Sequence, residues 1–513
     1  MRQQPHKQLA IHLCGRADIP PLGRSLAVNL HSGKPWGHSL VSSVKKLNLG
    51  RGLQHLRQTW IEAGQTARSR ITGTVRPGLP IDDHHLICRQ IDSCLSALGG
   101  AVSARSRAAS LGRVYLDLDL QGRRNFLRLL ASDYAVRQED LRLAIHSWLD
   151  VSRDSSVPQG RLTCEDVLRK ILVSPRIRLL TQFNDLPEGV KFLVSMRAEL
   201  LAMKGSDPDL NAFDREFKVL LASWFDVGFL ELRRITWDAP AALLETLANH
   251  EAVHPIRSWR DIKHRLAAVD RRCYAFIHPQ MPNDPLIFVW VALTSGIPDK
   301  IETLLSIQAP EVGPEDADTA VFYSISATQS GLDGVGFGSF LIKRVVERLS
   351  RDHKQLRVFS TLSPIPGFAS WLKRAGSDTG QRAQYSTAVQ AALEALDESG
   401  TLARIFSNRS WVRDLGAMES LHKPLSRLCA HYLINEKRDG VALDPVANFH
   451  LSNGAGIERL NWLGDTSKNG QSQAACLMVN YRYRQKDIES NHEAYHTDGQ
   501  IARSKSVAGL LKD

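Results

Sequence analysis

From about Leu86 to Phe225 apolar residues recur with the 3.6-residue period of amphipathic helices. Phe126, Leu127, Leu129 and Leu130 mark one helix, Leu141 to Leu149 a second and Val167 to Leu172 a third; Val190 to Leu201 and Phe217 to Trp224 continue the pattern. Polar breaks at Ser155-Ser156 and Asp207-Pro208 separate them. After Trp224 the period changes. Leu286 to Leu293 is an unbroken β-branched and aromatic run bounded by Pro285 and Gly296, which predicts a buried strand. Val321 to Ser326 alternates and predicts another. A glycine-rich turn, an amphipathic helix from Ser339 to Leu349 and a third strand from Leu356 to Leu362 follow directly. Strand, glycine loop, helix and strand in such close succession are the signature of a mixed sheet covered by helices. Helical stretches at 384–397 and 416–434 and a strand at Ala474 to Tyr483 complete this half. The expected fold class is α+β in two domains: an all-α bundle over 71–224, then a mixed-sheet domain over 225–488. A polar tail, 489–513, is expected to be loosely held.

Composition changes this picture at one end only. The 513 residues carry 65 Lys+Arg and 54 Asp+Glu, a formal net charge of +11. Eleven of those bases and two of those acids fall within residues 1–70, so the remaining 443 residues are nearly neutral at +2. The basicity belongs to a leader, expected to be disordered, a transit peptide or sequence upstream of the true start. It lacks the interleaved aromatics that stack bases, so no nucleic-acid partner is expected. No apolar run approaches the ~18 residues needed to cross a bilayer. Seven scattered cysteines, none in a C-x-x-C pair, suit reduced thiols in a cytosol or organelle matrix. A bacterial cytoplasm is the expected compartment and the mitochondrial matrix the second; the chain does not end in Ser-Lys-Leu.

Two motifs mislead. His250-Glu251-Ala252-Val253-His254 satisfies the H-E-x-x-H zinc pattern, which requires both histidines one turn apart on a single helix. Pro255 pushes His254 out of the α region, so the helix should end near there, and no metal is expected. Ala202-Met203-Lys204 echoes a biotin attachment site, but its flanks are helical where a hairpin tip is needed. No G-x-S-x-G elbow is present.

The informative loop is Asp333-Gly334-Val335-Gly336-Phe337-Gly338, between a strand and a helix beginning at Ser339. Glycines let backbone N–H groups turn outward, and a helix start adds partial positive charge, so a pyrophosphate or a pantetheine arm would fit. The spacing is neither a Walker loop nor a dinucleotide fingerprint. It resembles the acyl-CoA loop of the N-acetyltransferase fold, with Asp333 where that loop usually has Arg or Gln.

Three longer stretches resemble the malonyl-CoA decarboxylase family. One runs from Phe322-Tyr323-Ser324-Ile325-Ser326 through Gln329, Gly331-Leu332-Asp333-Gly334-Val335 and Gly338 to Phe340 and Leu341-Ile342-Lys343-Arg344-Val345-Val346. The second is Phe359-Ser360-Thr361-Leu362-Ser363-Pro364-Ile365-Pro366-Gly367-Phe368. The third is Leu443 to Ala455, including Asn448-Phe449-His450, with Asn480-Tyr481-Arg482-Tyr483 downstream. Glu251 to Pro255 also matches a family segment. The resemblance covers roughly residues 80–485. It implies a helical oligomerisation domain, an acetyltransferase-like (GNAT-type) catalytic domain, a homotetramer, and conversion of malonyl-CoA to acetyl-CoA and CO2 without an added cofactor. It also implies that Ser363 and His450 are the catalytic serine and histidine. Asp333 to Ser339 would then hold the CoA arm through backbone amides, while Asn448, Arg482 and Tyr483 would line the site.

Loss of CO2 leaves a thioester enolate, so the site needs donors for the oxyanion and a proton for C2. Ser363 is expected to bind the malonyl carboxylate or relay a proton, and His450 to supply the proton to C2. The alternatives are an acyl-CoA-dependent N-acyltransferase, which needs an amine acceptor, and a non-catalytic acyl-CoA-sensing scaffold, which binds without turnover.

Overall fold

The computed structural model describes residues 56–57, 59–60, 75–96, 100–152, 158–336, 338–377, 385–397, 405–406 and 410–512. The described residues of the first half include the helices α1 His84–Leu95, α2 Gly100–Asp117, α3 Leu120–Asp133, α4 Gln138–Ser152, α5 Pro158–Leu172, α6 Pro175–Asn184, α7 Gly189–Met203 and α8 Pro208–Trp224. Their starts follow capping chemistry. The Asp119 carboxylate accepts from Gly122 N, and Ser174-Pro175 and Asp207-Pro208 each place a side-chain cap before a proline in the first turn. Helix α7 is the central one: Val190, Phe192, Leu193, Val194, Met196 and Leu200 are buried around most of its circumference.

Most of the leader expected at 1–70 lies outside the described residues, but residues 56–60 include Leu56 and Trp60, both fully buried. The Trp60 indole packs edge-on to Phe192 at 4.8 Å and donates its Nε1–H to the Pro187 carbonyl at 2.8 Å. Gly112 has no room for a Cβ, because the Trp60 ring occupies that space. This short stretch is therefore part of the helical core, which the basic composition around it disguised.

The second half is built on a seven-stranded sheet. Its strands are β1 Glu231–Ile235, β2 Arg271–Ile277, β3 Pro285–Thr294, β4 Thr319–Ala327, β5 Val358–Thr361, β8 Gly456–Asn461 and β9 Met478–Arg482, in the order β1-β2-β3-β4-β5-β9-β8. Strands β6 Lys437–Arg438 and β7 Val441–Ala442 form a separate hairpin. Among the sheet's described strands β4 and β5 pair in parallel, and the other strand pairs are antiparallel. Helices α9 Ala241–His250 and α10 Trp259–Ala267 cover one face, and α11 Ser339–Asp352 covers the other. The period-2 alternation of β3 explains its apolar run. Phe288, Trp290 and Ala292 enter the core beneath α9 and α10, while Ile287, Val289, Val291 and Leu293 enter the core containing α11. The described residues beyond α11 also form helices α12 Phe368–Ser377, α13 Thr387–Asp397, α14 Leu415–Ile434, α15 Pro445–Ser452, α16 Lys468–Ala474, α17 Ile488–Asp498 and α18 Lys505–Leu510.

The last 25 residues differ from expectation. Helices α17 and α18 pack through Ile488, Tyr495, Ile501 and Val507, all buried, and Ile457 of β8 exchanges backbone bonds with Ala502 and Ser504. One apolar side chain every six or seven residues suffices to anchor this segment, although its composition reads as polar.

Candidate active site

Strands β4 and β5 pair over Thr319–Phe322 and Val358–Thr361, and the Leu362 amide still donates to the Phe322 carbonyl at 3.1 Å. There the strands part. β4 runs on to Ala327 beside β3, whereas Ser363 turns to β9 and exchanges both backbone bonds with Val479, at 2.9 and 3.0 Å. Pro364 and Pro366, flanking the buried Ile365, fix the chain beyond it. β4 also carries a bulge: the register with β3 slips between Trp290 and Val291, leaving Tyr323 unpaired opposite the gap.

Helix α15 closes the gap from the far side. Asp444 caps it, accepting from the Val446 and Ala447 amides at 3.0 Å each, with Pro445 in the first turn. The Asp444 carboxylate also accepts from Gly367 N, which ties α15 to the Ser363 loop, and burial raises its pKa to about 6. At the other end, Asn453 and Ala455 amides close on the His450 carbonyl, and Gly454 takes the left-handed φ of +79°. This short, doubly fixed helix holds His450 in its last turn.

His450 Nε2 lies 3.1 Å from Ser363 Oγ, and Nδ1 lies 2.8 Å from the Tyr483 hydroxyl. Ser363 Oγ donates to Thr361 Oγ1 at 2.9 Å, and Thr361 Oγ1 also accepts the Tyr481 amide. With the Ser363 proton used in that way, Nε2 carries the imidazole proton and donates to Ser363, and Nδ1 accepts from Tyr483. The Tyr481 ring stacks on the imidazole at 4.6 Å. Burial without a counter-charge drives the His450 pKa down to about 3, and burial pushes Tyr483 up. At neutral pH the chain Tyr483–His450–Ser363–Thr361 is uncharged.

A cavity of about 270 Å3 opens onto Ser363 and His450. Phe322, Ile325, Phe449 and Val446 supply much of its apolar wall, Tyr323 and Ser324 its polar edge, and among the described residues no lining side chain carries a formal charge. Glu251 braces the wall from behind: it accepts from Ser324 Oγ at 2.7 Å, Trp290 Nε1 at 2.7 Å, and the Val253 and His254 amides. Helix α9 ends at His250, so the two histidines of the zinc-like motif do not share a helix face. Among the described residues no cluster of three or more His, Cys, Asp or Glu side chains is placed to hold a metal.

The other expected site residues separate into two groups. Gly338 sits at the cavity: a Cβ there would lie 3.6 Å from Ile287 and Phe449, both lining residues. Asp333, Gly334, Val335 and Gly336 precede it in the loop and are not among the residues lining the cavity, Ser339 begins α11, and Phe337 lies outside the described residues. Asn448 instead faces the C-terminal helix, accepting from Tyr495 Oη at 2.8 Å, and Arg482 pairs with Glu458 on β8. Neither lines the cavity. Thr361, Tyr481 and Ser324 lie within the family-like stretches and Glu251 within the zinc-like motif, but the sequence assigns none of them a place at this site; Asp444-Pro445, a cap followed by a first-turn proline, is the sequence signal for the local helix.

The family described as "Malonyl-CoA decarboxylase C-terminal domain" matches residues 228–513, and "Malonyl-CoA decarboxylase N-terminal domain" matches 134–225. "Malonyl-CoA decarboxylase, mitochondrial" of Anser anser anser is 40% identical over 426 residues, 80% of this chain and 84% of the relative. Its Mus musculus counterpart is 36% identical over 432 residues, 81% and 84% of the two chains. Among solved structures, malonyl-CoA decarboxylase from Rhodopseudomonas palustris is 40% identical with a TM-score of 0.73, covering 82% of this chain and 98% of that one. The Agrobacterium vitis enzyme is 38% identical with a TM-score of 0.75, covering 83% and 100%.

Proposed function

The chain belongs to the malonyl-CoA decarboxylase family, and from that membership we propose that it converts malonyl-CoA to acetyl-CoA and CO2 in the cavity between β4, Ser363 and α15. The observation that carries the mechanism is the uncharged cavity beside a neutral Ser–His–Tyr chain. A carboxylate entering it exchanges water for an apolar wall with no cation to stabilise it. The transition state spreads that charge into the thioester and is penalised less, so the surroundings favour C–C cleavage. The C–CO2 electron pair becomes the enolate, CO2 departs, and C2 takes the Ser363 hydroxyl proton. His450 Nε2–H replaces that proton, and Tyr483 supplies Nδ1; one proton from solvent restores the chain. The enolate oxygen also requires a hydrogen-bond donor at the gap. The splayed β4–β5 pair and the glycine loop before α11 support an acetyltransferase-like arrangement, with the CoA arm along residues 333–339.

Incubation with malonyl-CoA alone is the test: acetyl-CoA and CO2 are expected in equal amounts, and CoA release that requires an amine acceptor would overturn the reading. Ser363→Ala is expected to lower kcat about 100-fold or more while CoA still binds; near-normal turnover would remove Ser363 from the chemistry.

Self-association through the helical half fits the exposed apolar side chains of the α4–α5 hairpin. These helices pack chiefly on each other, and Leu143, Leu162 and Leu172 are each more than half exposed. A homotetramer of the 57.1 kDa chain is expected by sedimentation. Leu143→Glu combined with Leu162→Glu should shift it to smaller species; an unchanged mass would exclude this surface. Seven scattered cysteines, none in a C-x-x-C pair, suit a reducing compartment, a bacterial cytosol first and a mitochondrial matrix second.

A further inference from the structure

The glycine loop is held from the helical half. Arg197, in the middle of α7, is 1% exposed. Its Nε donates to Asp214 Oδ1 of α8 at 2.9 Å, Nη1 to the Gly331 carbonyl at 2.7 Å and Nη2 to the Asp333 carbonyl at 3.1 Å. Lys204 Nζ closes on the other Asp214 oxygen at 2.5 Å, so the carboxylate meets two cations and the guanidinium cannot swing away. The loop is pressed close as well: Gly331 has no room for a Cβ against the Val194 carbonyl, and a Cβ on Gly334 would lie 3.2 Å from Lys218 Nζ.

The consequence follows from peptide geometry. In a planar trans peptide the N–H points opposite to the C=O of the preceding residue. Fixing the Asp333 carbonyl on Arg197 therefore directs the Gly334 N–H away from α7. The neighbouring amides are already committed within the turn: Leu332 N to Gln329 O, Asp333 N to Ser330 O, and Val335 N to Leu332 O. Gly334 is left as the amide whose direction the arginine sets, at a residue whose φ of +78° admits that orientation. The planar guanidinium fork, with donors at fixed angles, can hold two carbonyls and a carboxylate together, which an ammonium cannot.

We propose that Arg197 is a positioning residue for the coenzyme, setting the glycine loop from the helical half so that the Gly334 amide donates to the phosphate-bearing arm of malonyl-CoA. This rests on the reading of residues 333–339 as the CoA site. It places a determinant of coenzyme affinity on a helix that touches neither the cavity nor the reacting atoms.

The experiment compares malonyl-CoA with malonyl-pantetheine, which ends before the coenzyme phosphates. Arg197→Ala is expected to raise the KM for malonyl-CoA and the inhibition constant of free CoA together, about tenfold, with kcat at saturation within threefold. For malonyl-pantetheine, kcat/KM should fall less than twofold. Arg197→Lys should recover part of the malonyl-CoA affinity. Equal losses for both substrates, or an unchanged KM for malonyl-CoA, overturn the proposal. If Arg197→Ala does not fold, Asp214→Asn replaces it, loosening one of the three partners. The same split is then expected at about threefold, and its absence overturns the proposal equally. Failure of the unaltered protein to decarboxylate malonyl-CoA would instead refute the functional reading. Direct titration of CoA into the unaltered protein and the Arg197→Lys variant tests the loop independently of turnover.

Discussion

Replacing His450 with glutamine is expected to lower kcat by about 10^2 to 10^4, the usual contribution of a positioned proton-transfer group. Glutamine keeps an N–H that can reach Ser363 at the 3.1 Å site but cannot take a proton from Tyr483 while giving one up. KM for malonyl-CoA should change little if the coenzyme arm lies, as proposed, along residues 333–339. A kcat within tenfold of the unaltered protein would remove His450 from the proton path. The pH profile is a second check. Burial holds the imidazole neutral down to about pH 3, so kcat should show no inflection near pH 6.5; one there would mean that the charged ring takes part. The same depression has a sign for stability. A histidine whose folded pKa lies below its unfolded value contributes stability that is fully present above about pH 6.5 and is lost as pH falls towards the folded value. His254, also buried and also lowered to about 3, adds to this trend. The unfolding free energy should therefore fall over pH 6.5 to 3.

Gly454→Ala should be among the most damaging substitutions outside the cavity, costing roughly 2–4 kcal/mol. The position demands a left-handed φ of +79°, and the space for a Cβ is filled by the Ile488 carbonyl at the start of α17. The residue can enter only if α17 moves or the last turn of α15 opens, and that turn carries His450, so kcat should fall with stability. Gly440→Ala is the matched control: φ is +83° and nothing lies within 4 Å of the added carbon, so only the conformational cost of about 1 kcal/mol remains. Urea unfolding of both variants measures the difference. Equal losses would show that α17 does not restrain the helix of His450.

Much of this arrangement is legible before any coordinates. The strand, glycine loop, helix and strand from β4 to β5 follow from period and turn residues alone, and Ser363 and His450 stand out through the stretches around them. Other features depend on partners distant in the chain. β1 has three half-exposed or exposed charges, Glu231, Arg233 and Arg234, because it is an edge strand, so its pattern reads as loop. Asn448 lies two residues before His450, and two 100° helical steps turn it to Tyr495, away from the cavity. Tyr483 lies just past β9, and its bond to Nδ1 depends on where α15 lands across the sheet. Glu251 looked like part of a metal motif; its four donors are gathered from its own loop, β3 and β4.

Trp60 has a consequence of a different kind. Its ring fills the space over Gly112 beside Phe183 and Phe192, so the helical core is completed by a residue that lies within the basic leader. A shortened version of this protein must therefore begin upstream of Leu56, however dispensable the charged residues before it prove to be. Cutting at residue 71, where composition alone would draw the boundary, would take the keystone out with the scaffolding.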